Sequence, residues 1–349
     1  MKKIIYIVSI ISLMIILQAC NDNSTTSSSS DELEKVTFAE PARILSFAPL
    51  YVAIEKGYFE DEGIDADISS GGGGSQVIAT VLSGDSEFAI NAPRAMFSAL
   101  DDSGEDFIAI QSLNSALTYE IGVSNEFLDE QDINSDSSLE DKLAALEGAT
   151  LGIDLVGDSS DVYMRYLMQK HGLDQGKVET VKLSGSGAKI GGLDEGIIDG
   201  GIQSPPFSAQ LEDTGSGEIL LQLSEDEDFA KLVWEVVFAK ADYIDENPET
   251  ATKVVKALGK GIEFSSENPE EAASEIVDYF DGIDEELISK SLEGLNETYE
   301  GYGEMTQEAW DNAQDPLIEF SDMSGVSNEH DTTEDVLWTN KYIKEAFSE

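Results

Sequence analysis

Three arginines occur in this chain of 349 residues, Arg43, Arg94 and Arg165, and lysine fills the other basic positions. A guanidinium offers a planar fork of donors that fits carboxylate, sulfonate or phosphate. Arg43 and Arg94 both fall in turns where an expected strand passes into an expected helix, so they are candidates for gripping an anion. The plainer reading is an ion pair within an acidic chain. Phe47, Tyr51, Tyr163 and Trp234 offer flat faces on which a pyrimidine-like ring can stack, though for Trp234 packing where the chain crosses between domains is the plainer reading. Backbone donors form a third set. The run GGGG at residues 71–74 and Ser75 open a helix whose first N–H groups suit an anion, although four glycines also make a simple flexible turn. Residues 157–160, with Asp158 and Ser159, open another helix, and residues 184–187, with Ser186, form a further small-residue turn. These two ligand chemistries, anion and flat heterocycle, are not separated by residue type alone.

Catalytic chemistry has little to stand on. The two histidines are His171, closing a helix before Gly172, and His330, in a late polar stretch. No G-x-S-x-G elbow or Walker lysine loop is present, and GSGAKI at residues 185–190 places isoleucine where a dinucleotide loop needs glycine. Aspartate and glutamate are so abundant that adjacent carboxylates say nothing about acid–base work. No segment follows the D-x-[DN]-x-[DN]-G calcium pattern. The expectation is no enzyme, no cofactor and no metal site.

Positioning these residues requires alternating strands and helices. Strands are expected at residues 36–40, 63–68, 88–90, 107–110, 119–123, 150–153, 178–181 and 198–202. Between them stand helices at residues 77–82 and 159–171, and the stretch 48–57 carries Leu50, Ala53, Ile54 and Gly57 at helical spacing, with Pro49 at its start and Gly57 to close it. Such alternation indicates parallel α/β layers. After Val237 the pattern turns helical, with Pro248, Pro269 and Pro316 near helix starts or breaks and a last helix over residues 332–347. One internal echo bears on the site. GDSEFAINAP (84–93) and GIIDGGIQSP (196–205) align without gaps: glycine, a short buried strand, a side-chain amide at the strand's C-terminal end, then proline opening a helix. Ligands of open α/β sheets bind outside the C-terminal ends of strands, so Asn91 and Gln203 become a candidate pair facing each other across a cleft.

The first residues read as an export signal. Lys2 and Lys3 precede an apolar run over residues 4–17, too short for a membrane span, and Leu17-Gln18-Ala19-Cys20 resembles a bacterial lipobox. By that resemblance Cys20, the single cysteine, carries the lipid. Residues 21–34, rich in Ser and Thr, then form a tether with a reach of about 20 Å. Charge sets the surroundings: 71 acidic against 20 basic residues give a net charge of −51, spread along the chain, with 41% of residues still hydrophobic. Nucleic acid is a poor partner for such a surface. Self-repulsion on this scale is relieved when salt shortens the Debye length to roughly 3 Å at 1 M, so the expected setting is high salt, outside a halophilic or salt-tolerant cell.

The blocks APLYVAIEKGYFEDEGID (48–65), VLSGDSEFAI (81–90), LEGATLGI (146–153), HGLD (171–174), LDEGIIDGGIQSPP (193–206) and ENPE (246–249) together resemble the ABC-transporter solute-binding proteins of the nitrate/sulfonate/taurine class and their thiamin-pyrimidine-binding relatives. The likeness covers about residues 36–268. It implies an α/β fold of the periplasmic-binding-protein type II: two α/β domains, residues 35–120 with 238–349 and residues 121–237, joined by crossings near residues 119–123 and 231–238, with a helical C-terminal region. It implies a monomer that closes around a small solute, an anion or a pyrimidine, and hands it to an ABC permease and its ATPase, touching the membrane through its lipid only. The alternative is a sensor of the same fold signalling to a membrane partner. Yeast-type pyrimidine synthases share this fold but need a cysteine cluster, which one cysteine cannot supply. The ligand-binding residues expected are Arg43, Phe47, Tyr51, Gly74, Ser75, Asn91, Arg94, Asp158, Ser159, Ser186, Gln203 and Trp234.

Overall fold

The computed structural model describes residues 33–280 and 282–348, so the signal, Cys20 and nearly all of the tether lie outside the described residues. Among the described residues ten strands form two five-stranded sheets built to one plan. The first contains β1 (Glu34–Glu40), β2 (Ile64–Ser70), β3 (Phe88–Asn91), β4 (Phe107–Asn114) and β10 (Trp234–Lys240), in the order β2-β1-β3-β10-β4. The second contains β5 (Glu120–Ser124), β6 (Thr150–Ile153), β7 (Glu179–Lys182), β8 (Gly200–Gln203) and β9 (Gly217–Gln222), in the order β7-β6-β8-β5-β9. In each sheet three parallel strands meet an antiparallel fourth: β10 against β3, and β5 against β8. The two halves of the sequence echo, β3 and β8, are therefore the central strands of their sheets.

The apolar runs explain why these strands sit where they do. FAIN of β3 is buried at all four positions, as expected for a strand covered on both faces. In β8 the glycines serve close approach: a Cβ on Gly201 would stand 3.1 Å from Lys189, whose side chain lies across that strand, and a Cβ on Gly200 would come within 2.8 Å of the Gly122 carbonyl. The chain passes between sheets twice, from β4 to β5 and from β9 to β10. The expected crossings at 119–123 and 231–238 prove to be largely strand: all of β10 from Trp234 on is hydrogen-bonded within the first sheet, and the connections are the short stretches on either side. Strand β9, unremarked in the sequence, supplies the second sheet's edge.

The C-terminal region is helical, led by the twenty-residue helix Pro248–Glu267. Its apolar face packs on Ala48–Glu55, so closely that a Cβ on Gly261 would come within 2.2 Å of the Pro49 carbonyl oxygen. That pressure explains why Ala48–Ala53 are buried on every side and not along one face alone. Gly57 ends this helix at φ 71°, as its sequence position suggested. The last expected helix shrinks to Lys341–Phe347. Residues 332–340 instead lay backbone along the free edge of β4, where Thr339 N–H donates to the Ala109 carbonyl and Ala109 N–H to that of Leu337. An unpaired strand edge is a stronger demand than a local helical pattern. Pro316, expected at a break, sits inside the helix Gln307–Glu319. Among the described residues no helix is long and apolar enough to cross a membrane.

Candidate functional site

The C-terminal ends of β3, β6 and β8 and the start of β10 open on one cavity of about 750 Å³. Seven of the twelve expected residues line it: Gly74, Ser75, Asn91, Arg94, Asp158, Ser159 and Gln203. The strand-end rule explains this grouping. Asn91 and Gln203 end the central strands, Gly74 and Ser75 begin the helix Gly73–Ser83, and Asp158 caps the helix Ser159–Lys170 by accepting from Asp161 N–H at 3.1 Å. Asp158 also accepts from Ser160 Oγ at 2.6 Å and Leu155 N–H at 3.0 Å. Burial still holds its carboxyl above the usual range, against the pull of those hydrogen bonds.

The other five do not reach the cavity. Phe47 is wholly buried in the core beneath the first sheet. Tyr51 donates its hydroxyl to Glu40 Oε2 at 2.7 Å, and its ring stacks on Tyr279 with centroids 4.7 Å apart. Arg43 pairs with Glu40 at 2.8 Å and lies over both rings, 5.3 Å from Tyr51 and 5.1 Å from Tyr279. The ion-pair reading therefore holds for Arg43. This cluster braces the turn whose Pro41, Ala42 and Ile44 do line the cavity. Ser186 begins the helix Ser186–Asp194 to one side of it. Trp234 is buried; its Nε1–H donates to Thr118 Oγ1 at 3.0 Å, and its ring meets Tyr119 and Tyr163 edge-on. The aromatic ring that faces the cavity is Tyr119, with Trp234 behind it. Arg165, the third arginine, pairs with Asp161 at 2.7 Å.

A polar seam ties the first crossing to both sheets' surroundings. Thr118 Oγ1 lies 3.1 Å from Ser46 Oγ and 2.8 Å from Ser204 Oγ, and Ser204 also lines the cavity. On the second sheet's side, Lys189 is fully buried and donates to Asp154 Oδ1 at 2.7 Å and Gln203 Oε1 at 3.1 Å. Burial pulls the Lys189 ammonium below its ordinary range, and Asp154 pulls it back.

Glu235 escaped the sequence reading and is the most unusual residue of the site. It lines the cavity at 4% exposure, its φ is 51°, and no hydrogen bond or ion pair among the described residues reaches its carboxyl. Burial, with a smaller push from Glu40, raises it to about 8. The signal was present: Glu235 is the lone acid in the apolar run LVWEVVFA. Asp154, at the end of β6, also escaped, though the rule that found Asn91 and Gln203 applies to it. With Asp102 at the mouth, four carboxylates face the cavity against the one guanidinium of Arg94, whose Nε is spent on the Ser324 carbonyl at 2.8 Å. Among the described residues no group of His, Cys, Asp and Glu is gathered to hold a metal ion.

The relatives agree with this architecture. YtlA of Bacillus subtilis (strain 168) is 26% identical over 291 residues, 80% of this chain and 79% of YtlA. The formylaminopyrimidine-binding protein of Halalkalibacterium halodurans is 24% identical over 325 residues, 87% of this chain and 90% of that protein. Among solved structures, the periplasmic nitrate-binding protein NrtA of Synechocystis PCC 6803 superposes with a TM-score of 0.69 at 17% identity, over 90% of this chain and 88% of that one. The model of the NMT1/THI5-like family matches residues 45–272. The chain, with its two like sheets around one cavity, belongs to the NMT1/THI5-like family and has the periplasmic-binding-protein fold.

Proposed function

We propose that this protein is an extracytoplasmic solute-binding protein of an ABC importer, and that its solute is an amine-bearing, pyrimidine-like heterocycle rather than nitrate or a sulfonate. The observation that carries the choice is the charge of the cavity: Asp102, Asp154, Asp158 and Glu235 against Arg94. Lys189 offsets Asp154, and the hydrogen bonds around Asp158 are already made, but Glu235 has no partner among the described residues. A negative charge on the solute about 5 Å from an aspartate of this lining meets roughly 3 kcal/mol of repulsion at an effective dielectric of 20, and Glu235, protonated at neutral pH with its carboxyl raised to about 8, keeps a carbonyl oxygen free to accept. A heterocycle with an exocyclic amine turns that repulsion into a hydrogen bond and can lie against Tyr119. The name of the Halalkalibacterium relative points to the same class of solute.

Closure of two lobes about the stretches between β4 and β5 and between β9 and β10 is the motion this reading requires. The boundaries suggested by the sequence, 35–120 with 238–349 and 121–237, serve as its working definition, with Trp234 onward moved to the first lobe because β10 belongs to that sheet. A lipid on Cys20 would keep the receptor beside its permease. The role is capture and release, without turnover. Mass spectrometry of solute released from purified protein, followed by calorimetry with aminopyrimidines, taurine, other sulfonates and nitrate, tests the reading. Tighter binding of any of the anions than of every aminopyrimidine would overturn it. Radiolabelled palmitate should be incorporated by the wild type and not by Cys20→Ser.

A further inference from the structure

We propose that residues 307–324 form a strap that ties the two lobes together and limits how far they part, so that the solute-free protein keeps its lobes close. This goes beyond the solute-binding reading and is tested without any solute.

The strap consists of the helix Gln307–Glu319 and the short helix Ser321–Ser324. The first lobe holds it at both ends. Before it, Met305 N–H donates to Asn340 Oδ1 at 3.0 Å, and Asn340 Nδ2 donates to the Met305 carbonyl at 2.8 Å. Asn340 belongs to the stretch that covers the edge of β4. After it, Asp101, near the end of the helix Pro93–Ser103, accepts from Ser327 N–H and from Asn328 Nδ2 at 2.7 Å each, with His330 Nε2 3.0 Å away.

The second lobe holds the strap in its middle. Tyr163, on the helix Ser159–Lys170, donates its buried hydroxyl to the Ala313 carbonyl at 2.8 Å. Gly157 lets two backbones touch, since a Cβ there would come within 2.4 Å of the Met323 carbonyl oxygen. Beside the second crossing, Val233 N–H donates to the Ala309 carbonyl at 3.2 Å and Asn312 Nδ2 to that of Lys231 at 2.7 Å.

Apolar packing fills the space between these ties. Trp310, Ala313 and Leu317 are wholly buried, and Trp310 meets Phe97 of the first lobe edge-on with ring centroids 5.8 Å apart. Separate domains keep separate cores. Here one core cluster contains Phe97 from the first lobe, Tyr163 from the second, and the strap's three residues between them. Rotating one lobe against the other must peel away one face of the strap. That exposes Trp310, or it strands the Tyr163 hydroxyl and the Ala313 carbonyl. Apolar surface returned to water and a polar pair broken both oppose the motion. The strap also stands directly behind the cavity: Arg94 donates to its Ser324 carbonyl, and Gly325, the next residue, lines the wall. A receptor restrained in this way gives up little affinity to reorganisation when its solute arrives.

Electron–electron resonance distances between two spin labels test the strap. Asp65→Cys on β2 and Lys182→Cys on β7 place exposed labels on the outermost strands of the two sheets, with Cys20→Ser removing the single native cysteine. The solute-free chain with its strap intact should give one narrow distance. Trp310→Ala, which loosens the strap from the first lobe, and Tyr163→Phe, which loosens it from the second, should each add a second, longer distance. Phe59→Ala, an equally buried change within the first lobe's own core, should lower the melting midpoint and leave the single distance unchanged. Two distances in the chain with its strap intact overturn the proposal. So does a single distance in both strap variants, or a second distance in Phe59→Ala as large as theirs. If either alanine variant fails to melt cooperatively, Tyr163→Phe beside the intact strap decides alone.

Discussion

Replacing Glu235 by glutamine should make the solute-free protein more stable at neutral pH and remove a specific part of its pH dependence. The carboxyl is raised from an ordinary 4.5 to about 8 in the folded chain. Below pH 4.5 both the folded and unfolded states hold the proton, and the group costs nothing beyond its burial. Between pH 4.5 and 8 the unfolded state gives the proton up while the folded state retains it, so stability falls as pH rises. Above pH 8 both states are ionised and the penalty is constant. At about 1.4 kcal/mol per pH unit, the loss reaches roughly 3 kcal/mol by pH 7. For a folded unit of this size, 1 kcal/mol corresponds to about 1.5 °C in Tm, so the effect is on the order of 5 °C.

The assay is a series of thermal melts from pH 4.5 to 9 in 2 M NaCl, wild type beside Glu235→Gln. The difference between the two curves isolates this group from the 71 acidic residues of the chain. Glutamine is of equal size and carries no titrating proton, so the variant's advantage should grow from near zero at pH 4.5 to its full value near pH 8. A difference that stays flat across that range would refute the assignment of Glu235 as an unpartnered buried acid. Glu120, on β5, is raised to about 7 by burial and accepts from Ser208 N–H at 3.2 Å. It contributes a separate fall between pH 4.5 and 7, which Glu235→Gln leaves in place.

Three further outcomes follow from other parts of the molecule. Lys189→Ala should destabilise the protein by about 2–4 kcal/mol in urea unfolding, because it removes a fully buried stem and leaves Asp154 and Gln203 without their shared donor. Arg43→Ala should cost about 2 kcal/mol by stranding the buried Glu40 carboxylate, while solute affinity measured by calorimetry changes less than threefold; a loss of affinity without a loss of stability would restore Arg43 to the binding site. Raising NaCl from 0.1 M to 2 M should lift the melting midpoint by several degrees, since screening relieves a net charge of −51, and an unchanged midpoint would sink that argument.

What the sequence revealed of the site came through backbone rules. A strand's C-terminal end and the helix start that follows it are fixed by chain geometry, so Asn91, Gln203, Gly74, Ser75, Asp158 and Ser159 were legible without knowing their neighbours. Arg94 belongs with them, one residue after the proline that opens its helix. Phe47, Tyr51 and Trp234 were drawn to the cleft by side-chain chemistry alone. An aromatic ring suits a ligand and a core equally, and here the core took them: Pro248–Glu267 closes over Tyr51 and its neighbours from a point two hundred residues away in sequence, a contact no local pattern announces. The end of the chain was misread for a related reason, because the free edge of β4 that residues 332–340 cover is a property of the assembled sheet.

Glu235 was hidden by its own abundance. In a chain with 71 acids the identity of a residue as glutamate carries almost no information. Its surroundings carry a great deal, because surface acids in this chain sit in polar stretches and are solvated, whereas Glu235 interrupts a strand whose other residues from Trp234 to Ala239 are buried and apolar. Desolvating a carboxyl there costs several kcal/mol, and no partner among the described residues offsets it. In an acidic protein, therefore, the informative acid is the one placed where the surface charge has no reason to be. The −51 net charge addresses salt and solubility, while the single carboxyl within LVWEVVFA stands in the wall of the cavity.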